Sequence, residues 1–453
     1  MEAGFQNPLK HSASVLFACL MAFILTGCGG THDGASNAWV VHNPETQAPK
    51  KTQSVITDSQ DTVFAGTQVK NGQATSLLTR YNLQGTAIWE ATEIADRGLQ
   101  AITENNTNFI VAGGTVVVDG FQTNFSAPFI AKYDDQGNQL WSAPMGTFEY
   151  TDLNIETDAA GNIYVLTHQW QRIEGSTHVN YNLAKFDDAG ASLWHKNFTI
   201  QYQSYDPLFD VDSSGNSYLA YTKSAPRLLK FNSSGEQQWE REMPHEGSTV
   251  ARIRSLMIDN NDQAIVHTGT YKEILAGFIP SDVAATFAYD SNGDIVWEHH
   301  LPDPAVDLKL SVRPQGMTVD SEGNYYLTYS STRQDASIPC PMCAVYSHRV
   351  YVTKLSPTGN VVWHTEHKTN GEGTEVAFVG LNDHFIAMAD HDTLRTFNLN
   401  DGSIVIEQDI SQTDHRLSHV LMDSDDHIYL ITDAGNAYNS YYSIEKWTRI
   451  PKQ

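Results

Sequence analysis

Short apolar runs alternate along this chain with clusters of Asp, Ser, Gly and Asn, and the alternation recurs on a steady period. Two motifs carry its phase. The first reads TDAAGNIYV from Thr157, VDSSGNSYLA from Val211, VDSEGNYYL from Val319 and MDSDDHIYL from Met422, with looser copies at Asp58, Glu104, Asp259 and around Gly380. Each copy joins two apolar runs through a turn in which Asp accepts backbone N–H bonds and Gly or Asn takes positive φ, the signature of a β-hairpin. The second motif sets a glycine four residues before a large apolar residue: Gly85/Trp89, Gly137/Trp141, Gly190/Trp194, Gly235/Trp239, Gly293/Trp297, Gly359/Trp363 and Gly402/Ile406. Its surroundings repeat as well, as KYDDQGNQLW, KFDDAGASLW and KFNSSGEQQW. The spacing averages about 53 residues, so each repeat is one supersecondary unit.

One unit reads as strand, tight turn, strand, variable loop, strand ending in Lys-aromatic, tight turn, and a last strand carrying the tryptophan. Four antiparallel strands per repeat predict an all-β chain built as a β-propeller. Eight hairpin motifs stand against seven glycine-and-apolar strands, because the last unit runs out after YYSIEKWTRI. The segment DGASNAWVVHN around Trp39 supplies the missing strand if the propeller has eight blades and closes on its N-terminus, leaving no exposed edge. Seven is the count if the copy near Gly380 forms no full blade.

The ends of the chain imply an address. Ser12 to Leu25 form an apolar run after Lys10, short for a bilayer span and suited to a secretory signal, and the run meets Thr26-Gly27-Cys28-Gly29. This resembles the lipobox of bacterial lipoproteins, which implies cleavage before Cys28, lipid (palmitate among its acyl chains) on that residue and, with glycine at 29, sorting to the outer membrane. The expected domains are a signal peptide at 1–27, a lipidated flexible tether at 28–36 and one propeller at 37–453. The formal charge of −25 argues against nucleic acid and anionic headgroups as partners, so the lipid is what holds the body at the membrane. With Cys19 in the signal and Cys28 lipidated, Cys340 and Cys343 remain and are expected to form a disulfide in an oxidising compartment.

The repeats, Asp-Ser/Ala-x-Gly-Asn-x-Tyr followed by Lys-Tyr/Phe-Asp-x-x-Gly-x-x-x-Trp, resemble bacterial seven-bladed-propeller-type and quinoprotein-like repeats. The likeness covers about 37 to 449. An outer-membrane lipoprotein of this kind is also distantly similar to the BamB-type assembly lipoproteins, which implies a binding or assembly role.

Tight turns of even length are expected at one end of the blades and loops of uneven length at the other, near 168–180, 269–284 and 330–346; unequal loops build binding surfaces. Counting back seven residues from each turn acid gives Lys51, Arg97, Thr151, Tyr205, Arg252, Arg313 and Arg416, five of them cationic in a chain with only 28 Lys and Arg. On the innermost strands these five would attract an anion or acidic partner at the mouth of the central channel, or else pair with loop acids such as Asp96, Asp152 and Asp206. Trp170, Tyr202 and Tyr205 are the aromatics expected on the loop face.

Other chemistry is sparse. His364 and His367 stand three apart on a strand and point to opposite faces, as do the adjacent His299 and His300, so no metal site is expected. The loop Cys340-Pro341-Met342-Cys343 has no following histidine for haem and no βαβ context for redox exchange. Asp158, Asp212 and Asp320 are explained by turn capping, with calcium the alternative. No cofactor is predicted; a quinone would need the adjacent cysteine pair that quinoprotein dehydrogenases use. The function expected is therefore a binding or assembly scaffold for an envelope protein, peptide or glycan. The alternative is an envelope enzyme, either a quinoprotein dehydrogenase or a lyase or sulfotransferase acting on an anionic substrate. No catalytic residues are assigned.

Overall fold

The structure, a computed structural model, describes the strands and most tight turns between residues 35 and 449. Left out are 1–34, 43–53, 202–206, 246–251, 273–280, 302–309, 335–345, 370–378, 411–415, 450–453 and some shorter connections. The described residues contain strand and turn but no helix, and the strands form successive antiparallel sheets, seven of four strands and the second of five, in chain order except that the first strand joins the last sheet. We number these sheets by their spans: first 54–91, second 97–150, third 152–201, fourth 208–242, fifth 252–300, sixth 310–368, seventh 379–409, and eighth 416–449. The copy near Gly380 makes a sheet like the others, from Val379–Leu381, Phe385–Ala389, Thr393–Asn398 and Ile404–Asp409. The eighth sheet draws its fourth strand from Ala35–His42, which pairs antiparallel with Ser440–Arg449 and sets Trp39 opposite Lys446. This is the place expected for the segment around Trp39.

The core lies between sheets. Ile110, Phe125 and Ile130 of the second sheet share one buried cluster with Leu153, Ile163 and Val165 of the third. Tyr218 and Leu228 of the fourth meet Ile253, Val266 and Phe287 of the fifth. A middle strand such as Ser217–Thr222 is consequently buried at every position, because both its faces meet a neighbouring sheet.

The two repeat motifs are the fasteners between sheets. The glycine of one motif copy packs on the tryptophan of the copy before it: the tryptophan of each of the first six sheets lies on the glycine of the next. A Cβ on Gly359 would stand 2.6 Å from the Trp297 ring, and φ there is +77°, so glycine is required by both contact and backbone. The same contact recurs from Trp89 on Gly137 through Trp363 on Gly402. The indole N–H groups of Trp89, Trp141, Trp194 and Trp239 donate across the same junctions, to the carbonyls of Asp135, Asp188, Ser233 and Ser291.

The hairpin acids serve the fold as well. Asp212 accepts the N–H groups of Ser214 and Asn216 at 3.0 and 2.8 Å, the Asn216 amide at 2.7 Å and the Tyr218 hydroxyl at 3.2 Å. The buried Lys230 of the Lys-aromatic motif stands 3.8 Å from the same carboxylate and donates to the Ser291 carbonyl of the next sheet. Asp158 with Lys185 and Tyr164, and Asp320 with Lys354 and Tyr326, repeat the arrangement. Protein donors thus surround the oxygens that the calcium alternative would need.

Candidate functional site

The two ends of the sheets differ. At the turn end, the connections 158–162, 212–216, 259–263 and 320–324 have one length, as do 134–138, 187–191, 232–236, 290–294 and 356–360. At the opposite end the connections inside a sheet run from 71–72, 120–121 and 174–175 up to 273–280 and 335–345. The loop expected near 168–180 is a hairpin ladder: Ile163–Ile173 and Ser176–Phe186 pair along their whole length, and only 174–175 connects them. Trp170 is therefore a strand residue opposite Val179, half-buried and packed on the cluster that holds Tyr181, rather than a loop aromatic.

Three of the expected cations, Arg252, Arg313 and Arg416, occupy one register position, and Arg97 stands one pair further from its turn. Arg97, Arg252, Arg313 and Arg416 pair with Thr115, Gly269, Ser330 and Asp433 on the second strands of the second, fifth, sixth and eighth sheets. In each case a β-bulge lies between the arginine and the turn, at Leu99/Ala101, Ile253/Ser255, Pro314/Met317 and Leu417/His419. The third sheet has no such bulge, and there the equivalent residue is Asp152, opposite His168, rather than Thr151. The count of seven works only where the bulge adds a residue. Of these four side chains only Arg313 is described, half-buried. Lys51, Tyr202, Tyr205, Cys28, Cys340 and Cys343 lie outside the described residues.

The histidine pairs separate as expected. His364 bonds to Thr353 and stacks on Tyr351, whereas His367 bonds to Thr365 and packs on Phe397 of the seventh sheet. His299 is pulled down to about 4 by burial, while His300 is exposed beside Glu298. Among the described residues no three His, Cys, Asp or Glu side chains are grouped to hold a metal.

Two features escaped the sequence reading. The first is a carboxyl pair on consecutive innermost strands. Glu156 and Asp210 each stand two residues before a turn acid, where the fifth and sixth sheets have Met257 and Thr318. Asp210 accepts the N–H of Val211 at 2.7 Å and, across the sheet junction, that of Ile258 at 2.6 Å. Burial, with the Asp210 charge beside it, pushes Glu156 up to about 8, and burial also raises Asp210. Two carboxyls so placed titrate as a unit. The signal in the sequence was an acid at an otherwise uncharged position.

The second feature is a cleft of 350 Å³ between the second and third sheets. Its near wall is the two-residue strand Glu149–Tyr150, an extra edge of the second sheet that pairs with Phe125 and Ser126. Its far wall is a row across three strands, where Asn180 pairs with both Gln169 and Thr199, Tyr181 with His168 and Phe198, and Asn182 with Thr167 and Asn197. Matching Asn-aromatic-polar triplets at 180–182 and 197–199 were its trace in the sequence.

No protein-family model matches this chain, and neither does any curated protein, so the resemblance to lipoproteins and BamB-type proteins has no such counterpart. Solved structures do match. The polysaccharide lyase Uly1 is 9% identical, with 76% of this chain and 89% of that one covered at a TM-score of 0.46. A second polysaccharide lyase, an ulvan lyase, is 10% identical over 81% and 97%, TM-score 0.42, and the V. cholerae biofilm matrix protein Bap1 is 12% identical over 91% of each chain, TM-score 0.31. Likeness at this level carries no activity or substrate across. The chain is an all-β protein of four-stranded antiparallel sheets.

Proposed function

We propose that this chain is a lipid-anchored propeller of the bacterial cell envelope, a binding or assembly scaffold that offers the loop end of its sheets to an acidic envelope protein, peptide or glycan. The observation that supports this most is the contrast between the two ends: turns of at most five residues on one side, connections inside a sheet of 2 to 11 residues on the other. Short turns hold neighbouring sheets in place, whereas unequal loops tune a surface to a ligand. Arginines at one register position, in a chain of formal charge −25, give that end a local preference for anions that the body lacks. Lipid on Cys28 supplies the membrane attachment that an acidic body would not.

Cell fractionation tests the anchor. The Cys28→Ser chain is expected in the soluble fraction, with the full chain in the membrane pellet; Cys28→Ser protein found in the pellet would mean that something other than lipid holds it. Binding of polyglutamate and dextran sulfate at low salt tests the ligand class. Replacing Arg252, Arg313 and Arg416 together with Gln is expected to weaken both by at least about tenfold, a 1.4 kcal/mol change, and added salt should weaken the wild type. Equal binding by the triple variant, with an unchanged circular dichroism spectrum, would assign the arginines to ion pairs within the fold.

A further inference from the structure

We infer that the cleft between the second and third sheets is a binding site for a neutral, hydroxyl-rich ligand, one or two pyranose units of a glycan chain. The lining carries the argument. Side-chain amides come from Gln169, Asn180, Asn182 and Asn197, and a ring from Phe148, while neither Lys nor Arg lines it. An amide offers a donor and an acceptor side by side, which suits vicinal hydroxyls, and an aromatic face packs on the C–H face of a sugar. Phosphate, sulfate and carboxylate ligands would find no Lys or Arg there, and Glu149 on the near wall would repel them.

The site is built rather than incidental. The Thr199 hydroxyl donates to Asn180 Oδ1 at 2.7 Å and Asn180 Nδ2 donates to Gln171 at 2.8 Å, which fixes that amide with one N–H to spare. Behind these strands, on the face turned away from the cleft, Tyr181 stacks on Phe198 at 5.1 Å and Phe198 packs on Phe231 of the fourth sheet at 5.4 Å, so the amide-bearing wall is held from behind. Asn182 Oδ1 is buried and meets no hydrogen-bond donor among the described residues, an expense that a ligand hydroxyl would remove. The volume of 350 Å³ falls at the lower end of the roughly 300–1,000 Å³ typical of small-molecule sites. Only the second sheet has an extra edge strand, so among the described sheet junctions only this one has such a near wall.

The test is titration calorimetry with neutral hexaoses of glucose, xylose and N-acetylglucosamine, with glucose alone, and with dextran sulfate. At least one neutral hexaose is expected to bind the wild type. Asn197→Ala, an exposed substitution, and Asn182→Asp, close in shape but charged, should each weaken it by at least about tenfold, while dextran sulfate binding is unaltered. Tighter binding of the hexaose than of glucose points to a glycan chain; equal binding would overturn the chain assignment. Failure of every neutral hexaose, or unchanged affinity in both variants, would overturn the site. Neither result touches the arginine reading, which only the dextran sulfate arm addresses.

Discussion

Removing Ala35–His42 is expected to cost on the order of 5 kcal/mol, since that strand contributes a full antiparallel ladder against Ser440–Arg449 and each net hydrogen bond contributes about 1 kcal/mol. The loss compares with the whole stability of a typical domain, roughly 5–15 kcal/mol. It would also turn Ser440–Arg449 into an unpaired edge, which invites association between copies. Urea unfolding of the truncated chain should show a much lower midpoint, and light scattering should show oligomers absent from the parent. A truncated protein with the parent's midpoint and size would mean that the eighth sheet does not depend on its N-terminal strand.

Glu156→Gln is expected to remove most of the alkaline loss of stability. An ordinary glutamate titrates near 4.5, the value it takes when unfolded, but in the fold burial holds Glu156 up near 8. Between those values the folded chain binds the extra proton, so stability is fully present below about pH 4.5 and drains away as pH rises through about 8. Allowing for partial solvent access, the loss is about 2–4 kcal/mol by pH 9. His267 and His299, pulled down by burial to about 3 and 4, act on the other flank. They stabilise the fold above the ordinary histidine value of about 6.5, and that contribution fades as pH falls. Both proteins keep those histidines, so the difference between the two urea series from pH 5 to 9 isolates the Glu156–Asp210 pair. The variant should match or trail the wild type at pH 5 and exceed it at pH 9; parallel series would show that Glu156 is charged and solvated throughout.

How much of the site was legible depends on how local its cause is. A hairpin acid such as Asp212 bonds to backbone two and four residues on, so its role could be read from VDSSGN alone. The arginine row was found by counting, but its true register required the bulges, and the bulge missing from the third sheet moved the position from Thr151 to Asp152. Glu156 and Asp210 were invisible as a pair because they lie in different units. The cleft likewise depends on Glu149–Tyr150 turning back along Phe125 and Ser126, which no repeat motif encodes.

The all-β class, the four strands of each unit, the tight turns that join them and the place of the N-terminal strand were legible in the residues, because strand alternation and turn chemistry act over a few positions. Tertiary structure alone decided which glycine each tryptophan covers. The pattern Gly-x-x-x-Trp reads as one local motif, yet Trp297 rests on Gly359 of the following sheet and not on Gly293 beside it in sequence. Four residues apart across a tight turn, glycine and tryptophan of one copy are held by the ladder on the same sheet; the free face of the indole is covered only when the next sheet arrives. That contact belongs to the stacking of units, and no single unit contains it.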